Sequence, residues 1–372
     1  MMLVWDISLV DFIKFISHIN MLTLKGTALS SGTYLNWVIE NTPTAWRHDS
    51  ADPVELQLSH DRGAIGVTTN PYQSSVALAK HRAAGVKDVD SVLARNLNSE
   101  QKAEELMRQV VVRAAAMYRP HHDRSGGKNG YVCAQVNPSR AGERDSMLAM
   151  ARRFHAWAPN IAVKLPAVSA GLDVLEDCIA EGITATATVS FTVPQVIAIA
   201  ERCRAGRHRA KRNGIKPGEC FSVLMIGRLE DYLREVALDN RSPVNESNIR
   251  QAGLAVTNRA YSIYRERGYE AVLLVAALRG SYHFTELAGA ELLMSIAPSA
   301  QEWFISKDHP REERIEKGVA SDVIQRLYTM REFVKAYEPD GMAPKDFISY
   351  GVSQRTLCQF IEAGWKLLEG FK

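Results

Sequence analysis

A lysine sits inside the apolar run 160–165 (NIAVKL). An ammonium in such a segment is costly to bury unless it is paired or its pKa falls. A lysine desolvated in this way is the nucleophile that condenses with a carbonyl to form a Schiff base. The alternative for Lys164 is a strand-end side chain that snorkels or makes a salt bridge. Polar residues also close the other apolar runs: Asp49, Thr69 and Asn70, Gln135 and Asn137, Thr186 and Thr188, Arg228, and Arg279. Asn70 before Pro71 also reads as a turn residue, Thr188 as a packed β-former, and the two arginines as surface salt-bridge partners.

Eight short, β-branched apolar runs carry these residues: 44–50, 64–70, 131–137, 160–165, 184–191, 221–226, 271–278 and 291–297. Between them lie segments such as SMLAMARRFHAWA (146–158) and GLDVLEDCIAE (171–181), with apolar residues at helical spacing. Alternation of strand and helix implies parallel strands joined by crossover helices. Eight such units close naturally into a single (β/α)8 barrel of the TIM type, and a doubly wound open sheet is the alternative. In a barrel the polar residues above converge, because active sites form at the C-terminal ends of the strands. The organisation expected is an extension over 1–43, a barrel over 44–310 and a helical extension over 311–372. Helical insertions are expected at 87–128 and at 229–268, the latter as two helices, with tail helices at 321–336 and 354–368.

Composition bounds the partners. Among 372 residues, 45 Lys+Arg stand against 42 Asp+Glu, a formal net charge of +3. That balance gives no global case for nucleic-acid or membrane binding, so any phosphate site must be local. The basic run RCRAGRHRAKR (202–212) has no interleaved aromatic residue and reads as a solvated helix end. Five widely spaced cysteines form no CxxC pair, which fits a reducing cytoplasm, and His121-His122 has no third ligand at a recognisable spacing, so no metal is expected. Residues 1–20 are interrupted by Asp6, Asp11 and Lys14 and read as neither a signal peptide nor a membrane span. A short amphipathic helix, or residues ahead of a start at Met21, both fit. The outer helices leave a homo-oligomer open.

Three motifs in order carry a family resemblance. GAIGVTTNP (63–71), AVKLPAVSAGL (162–172) and EGITATATVSFTVPQ (181–195) resemble the corresponding segments of the transaldolase family, and the spacing fits from Asp49 to Ala297. The resemblance implies a class I aldolase on an α/β barrel acting on a ketose or sugar phosphate in carbohydrate metabolism of the pentose phosphate type, with no metal or organic cofactor. It makes Lys164 the Schiff-base lysine and Asp49 the acid/base for the C4 hydroxyl, a step that needs a group able to return its proton. An N-cap for the helix starting at Pro53 is the other role for Asp49, one that Asp52 or Ser50 could also fill. By the same resemblance Asn70, with Thr69 and Thr186, contacts the ketose, Thr188 helps hold a catalytic water, and Arg228 and Arg279 grip a phosphoryl group with two guanidinium forks.

The pattern also departs from the family. Gln135 stands where the better-known transaldolases carry glutamate, and this resembles the fructose-6-phosphate aldolase branch, which releases dihydroxyacetone. An amide can still orient a water through its carbonyl. Met225, Ala277 and Thr186 differ from the usual aromatic, serine and asparagine. Three readings follow: transfer of a dihydroxyacetone unit, release of dihydroxyacetone, or a sugar-phosphate-binding barrel without catalysis. His48, next to Asp49, should point to the opposite face of its strand.

Overall fold

In the computed structural model, which describes residues 32–83 and 88–372, the parallel strands are β1 (Ala45–His48), β2 (Val132–Gln135), β3 (Ile161–Pro166), β4 (Ala185–Thr188), β5 (Cys220–Met225), β6 (Val272–Ala276) and β7 (Leu293–Ile296). Their order is β1-β7-β6-β5-β4-β3-β2. The readings made for residues 1–20 lie outside the described residues.

The run 64–70 does not form a full strand. It contributes one bridging residue, Val67, between His48 of β1 and Val132 of β2. The hydrogen bonds nevertheless close the ring: His48 N–H donates to Gly66 O (2.9 Å), Thr68 N–H to His48 O (2.8 Å), Val67 N–H to Tyr131 O (2.9 Å) and Cys133 N–H to Val67 O (3.1 Å). Two features confine this segment. A Cβ at Gly66 would stand 2.7 Å from Tyr131 O, and Asn70 turns at once into the helix Pro71–Ala83, whose first residue has no N–H to offer a ladder. The result is an α/β barrel of TIM type in which one of eight positions is pared down.

Alternation along the strands divides the side chains. One parity, including Arg47, Cys133, Lys164, Thr186, Phe221 and Leu274, turns into the barrel, and the other packs under the helices. The interior is filled: the Arg47 guanidinium lies 3.7 Å from the centroid of the Phe221 ring. Outside, the insertion at 87–128 forms helices Asp88–Leu93 and Ser99–Arg124, the second started by a reciprocal cap between Asn98 and Gln101. The segment 229–268 lies within Ile226–Asp239 and Ala252–Arg267, with a one-turn helix Glu246–Ile249 between them. The expected helix at 321–336 is divided into Ser321–Leu327 and Arg331–Tyr337, and the last expected helix runs as Gly351–Phe360, a π-turn Ile361–Trp365 and Lys366–Glu369.

The basic run 202–212 forms the second half of the helix Val193–Arg212. Arg202 pairs with Asp173 (2.7 Å) and Glu176 (2.8 Å), and Arg209 with Glu176 (3.0 Å) and Asp177 (2.8 Å). It is thus tied to the neighbouring helix Ser169–Ala180. Among the described residues no helix is long and apolar enough to cross a membrane.

Candidate active site

A cavity of about 250 Å³ opens at the C-terminal ends of the strands. Its lining includes Asp49, Thr68, Asn70, Lys164, Thr188, Met225, Arg228, Arg279, Ser295 and Phe360. Six of the nine residues proposed from sequence therefore meet in one place. The strand residues among them share the inward parity, so the pleat that builds the barrel core also aims them.

Lys164 is 7% exposed. Its Nζ donates to the backbone carbonyl of Thr69 at 3.2 Å, an acceptor carrying no charge. Thr69 acts through this carbonyl, because its own Oγ1 turns to Cys133 O (2.7 Å) and the residue does not line the cavity. Gln135 and Thr186 flank Lys164 in register on β2 and β4, though neither is among the residues lining the cavity. Thr186 approaches Cys133 Sγ at 3.6 Å, whereas the buried Oε1 of Gln135 has no protein partner. Thr188 does line the cavity, with Oγ1 3.8 Å from Met225 Sδ.

Asp49 is free of capping duty. Asp52 caps the helix Pro53–Asp61, accepting from Val54 N–H (2.9 Å) and Glu55 N–H (3.3 Å), and pairs with Lys80 (2.8 Å). Burial opposes ionisation of Asp52, but the bonds from Lys80 and the helix amides outweigh it and hold its carboxyl below the usual range. Asp49 Oδ1 accepts from Thr68 Oγ1 (3.0 Å) and from Gln73 Nε2 (2.9 Å), which also reaches Asp49 O (3.0 Å). Thr68 is itself bonded to Ser295. Asn70 combines two positions, lining the cavity while its Oδ1 accepts from Gln73 N–H at 3.0 Å in the first turn of Pro71–Ala83.

His48 turns away from the cavity. Its Nδ1 accepts from Gln301 Nε2 (3.0 Å), and Gln301 Oε1 accepts from Arg62 (3.1 Å). Burial pushes the imidazole pKa down to about 3, so the ring is neutral at ordinary pH.

The arginines come from two elements joined by one helix. Arg228 lies in the first turn of Ile226–Asp239, where burial, with the nearby charge of Arg279, holds its pKa below the usual guanidinium range. Arg279 donates to Asp231 Oδ2 through Nε (3.0 Å) and Nη2 (2.6 Å). Its backbone N–H donates to His283 Nδ1 (3.1 Å), and the other ring nitrogen of His283 meets Glu230 Oε1 at 2.7 Å. Since Nδ1 accepts, Nε2 carries the proton and donates to Glu230. Tyr282 donates to the second Glu230 oxygen at 2.8 Å. His283 and Glu230 are both fully buried. One helix thus presents Arg228 to the cavity, holds the Arg279 side chain through Asp231 and fixes the Arg279 backbone through Glu230.

The chain bends sharply here, with Ala277 at φ +60°, a conformation costly for a residue with a Cβ and common at functional sites. Gly227 permits it, since a Cβ there would lie 2.1 Å from Ala277 O.

Thr68, Gln73, Ser295, Glu230, Asp231, His283 and Phe360 are absent from the sequence-based set. Gln73 had a readable signal, three residues past Asn70 at a helix start. Glu230 and Asp231 follow Arg228 closely, but nothing local tells which carboxylate is buried.

A family model described as "Transaldolase/Fructose-6-phosphate aldolase" matches residues 47–348. The chain belongs to this family. Similar proteins include "Transaldolase 1" of Streptomyces avermitilis, 28% identical over 216 residues, covering 56% of each chain. "Transaldolase 1" of Streptomyces coelicolor is 29% identical over 240 residues, covering 63% of this chain and 59% of the relative. "Transaldolase" of Neisseria gonorrhoeae is 31% identical over 163 residues, covering 41% and 46%. The chain thus spans little more than half the length of the two Streptomyces relatives. Within the transaldolase/fructose-6-phosphate aldolase family match fall all nine residues proposed for the site. Among the described residues no group of three or more His, Cys, Asp or Glu is gathered as a metal site, and His121 meets His60, Nε2 to Nε2 at 3.1 Å.

Proposed function

We propose that the protein is a Schiff-base enzyme that cleaves or transfers a dihydroxyacetone unit of a sugar phosphate. The observation that carries this reading is the shared cavity of Lys164, Asp49, Arg228 and Arg279 at the C-terminal rim. It puts an amine, a carboxylate and a double cationic fork within one substrate's reach, while the family match supplies the reaction class.

The Lys164 amine adds to the C2 carbonyl of the ketose, and loss of water gives an iminium. Asp49 takes the proton of the C4 hydroxyl, the C3–C4 bond breaks, and its electron pair flows into the iminium to give an enamine while the aldehyde departs. Asp49 is suited to this by two neutral donors, Thr68 and Gln73, which orient its carboxylate without neutralising it. Arg228 and Arg279 bind the phosphoryl end, and Asn70 the dihydroxyacetone end. Neither a metal nor an organic cofactor takes part. Transfer follows when an acceptor aldehyde adds to the enamine, Asp49 returns the proton to the new hydroxyl, and water hydrolyses the resulting iminium to free the ketose and the Lys164 amine.

Release of dihydroxyacetone is the second reading, and Gln135 favours it. Its unpartnered Oε1 lies beside Lys164 in register, where with Thr188 it would orient a water that protonates the enamine and hydrolyses the iminium. Incubation with fructose 6-phosphate, with and without erythrose 4-phosphate, separates the two. Cleavage that depends absolutely on the acceptor rules out release, and dihydroxyacetone formed without acceptor establishes it.

A further inference from the structure

The helix Gly351–Phe360 follows directly on the segment matched by the family model, which ends at residue 348, and it lies against the mouth of the cavity. Arg355 pairs with Glu235 of the helix that carries Arg228. One turn later Gln359 accepts from Arg228 Nη1 through its Oε1. Phe360 lines the cavity and places its ring under the same guanidinium, 5.5 Å from Cζ to centroid. The π-turn that follows brings Gly364 against Pro71 and Tyr72 on the Asn70 side, with 3.5 Å from its Cβ position to each. The C-terminal segment therefore crosses the mouth from Arg228 to the Asn70 rim.

The charges there are unequal. Arg279 is paired with Asp231, which also pairs with Arg234, whereas Arg228 meets a neutral amide oxygen and an aromatic face. That oxygen occupies one acceptor position of the Arg228 fork, the position a phosphoryl oxygen needs for a bidentate grip. Phe360 buttresses the fork by cation–π contact.

We propose that Gln359 and Phe360 are specificity-determining residues: Gln359 competes with the phosphoryl group for Arg228, and Phe360 holds the guanidinium facing the cavity, so the C-terminal helix sets the preference for phosphorylated over unphosphorylated ketoses. This rests on the reading of Arg228 as a phosphate ligand.

The test uses the full-length protein, with inorganic phosphate as competitive inhibitor and the KM ratio of fructose 6-phosphate to fructose. Gln359→Glu puts a carboxylate on Arg228 and should weaken phosphate inhibition and raise the ratio by about two- to fivefold, the scale of an exposed ion pair. Gln359→Ala removes the competitor and should move both quantities the other way, a sign reversal that general damage to the rim would not produce. Phe360→Leu should raise the ratio in the manner of Gln359→Glu. Arg228→Ala separates phosphate binding by Arg228 from its tuning by Gln359. If it weakens phosphate while both Gln359 variants leave phosphate inhibition unchanged, the specificity proposal is overturned and Arg228 stands as the phosphate ligand. If Arg228→Ala leaves phosphate inhibition unchanged, both are overturned.

Discussion

Gln73 donates its side-chain amide to the Asp49 carboxylate at 2.9 Å and reaches the Asp49 carbonyl at 3.0 Å. The proposed acid/base is thereby fixed by a neutral residue on the helix that follows Asn70. Gln73→Leu should lower kcat by about 10- to 100-fold, the cost of letting a reacting group drift from its line of attack. Trapping of a ketose on Lys164 should survive, because adduct formation precedes the step assigned to Asp49. Steady-state kinetics beside borohydride trapping checks this, and loss of trapping would assign Gln73 an earlier role.

His48 gives a pH prediction with a definite sign. Its folded pKa of about 3 lies below the ordinary 6.5, chiefly through burial, with Asp52 and Arg62 acting in opposite directions. As pH falls below 6.5 the unfolded chain takes up this proton before the folded one does. The stability from this group is therefore complete above pH 6.5 and is lost toward pH 3, at up to about 1.4 kcal/mol per pH unit. Urea denaturation from pH 7 to pH 4 should show this slope, and His48→Asn should flatten it.

Gln135 and Lys164 are register neighbours on β2 and β3. A carboxylate introduced at 135 would favour the charged form of an adjacent amine. Gln135→Glu should therefore displace the pH profile of ketose adduct formation to higher pH, by about one unit. An unmoved profile would mean that side chain 135 does not approach the amine.

The Glu230–His283 pair holds the backbone of Arg279. His283→Leu leaves the fully buried Glu230 side chain with one donor fewer, and leaving a buried acceptor short of its partner costs about 1–3 kcal/mol. Chemical denaturation should report a loss of that order. Glu230→Gln, which keeps an acceptor for His283, should lose less.

Much of this was legible in the chain. Lys164 within NIAVKL and the polar residues at the ends of apolar runs predicted the barrel and six of the eight polar residues that line the cavity, because strand parity and crossover geometry are local consequences of sequence. The run 64–70 shows where that logic weakens. Its alternation resembles a strand, yet the close approach of Gly66 to Tyr131 and the helix start at Asn70 reduce it to the Val67 bridge. Thr69 and Thr186 have the right residue type and the right run, but their hydroxyls turn to Cys133, Thr69 Oγ1 to its carbonyl and Thr186 Oγ1 toward its Sγ, and neither residue lines the cavity. Glu230 and Phe360 were out of reach for another reason: Glu230 is held by His283 from a distant part of the chain and Phe360 meets Arg228 from the C-terminal helix, and no local pattern encodes such a meeting.

The most direct test of the account is borohydride reduction in the presence of fructose 6-phosphate or dihydroxyacetone, followed by peptide mass spectrometry. A reduced ketose adduct is expected on the peptide carrying Lys164, abolished in Lys164→Met. Folded protein that yields no adduct on Lys164 with either ketose would contradict the Schiff-base mechanism and leave a barrel that binds sugar phosphates without turning them over.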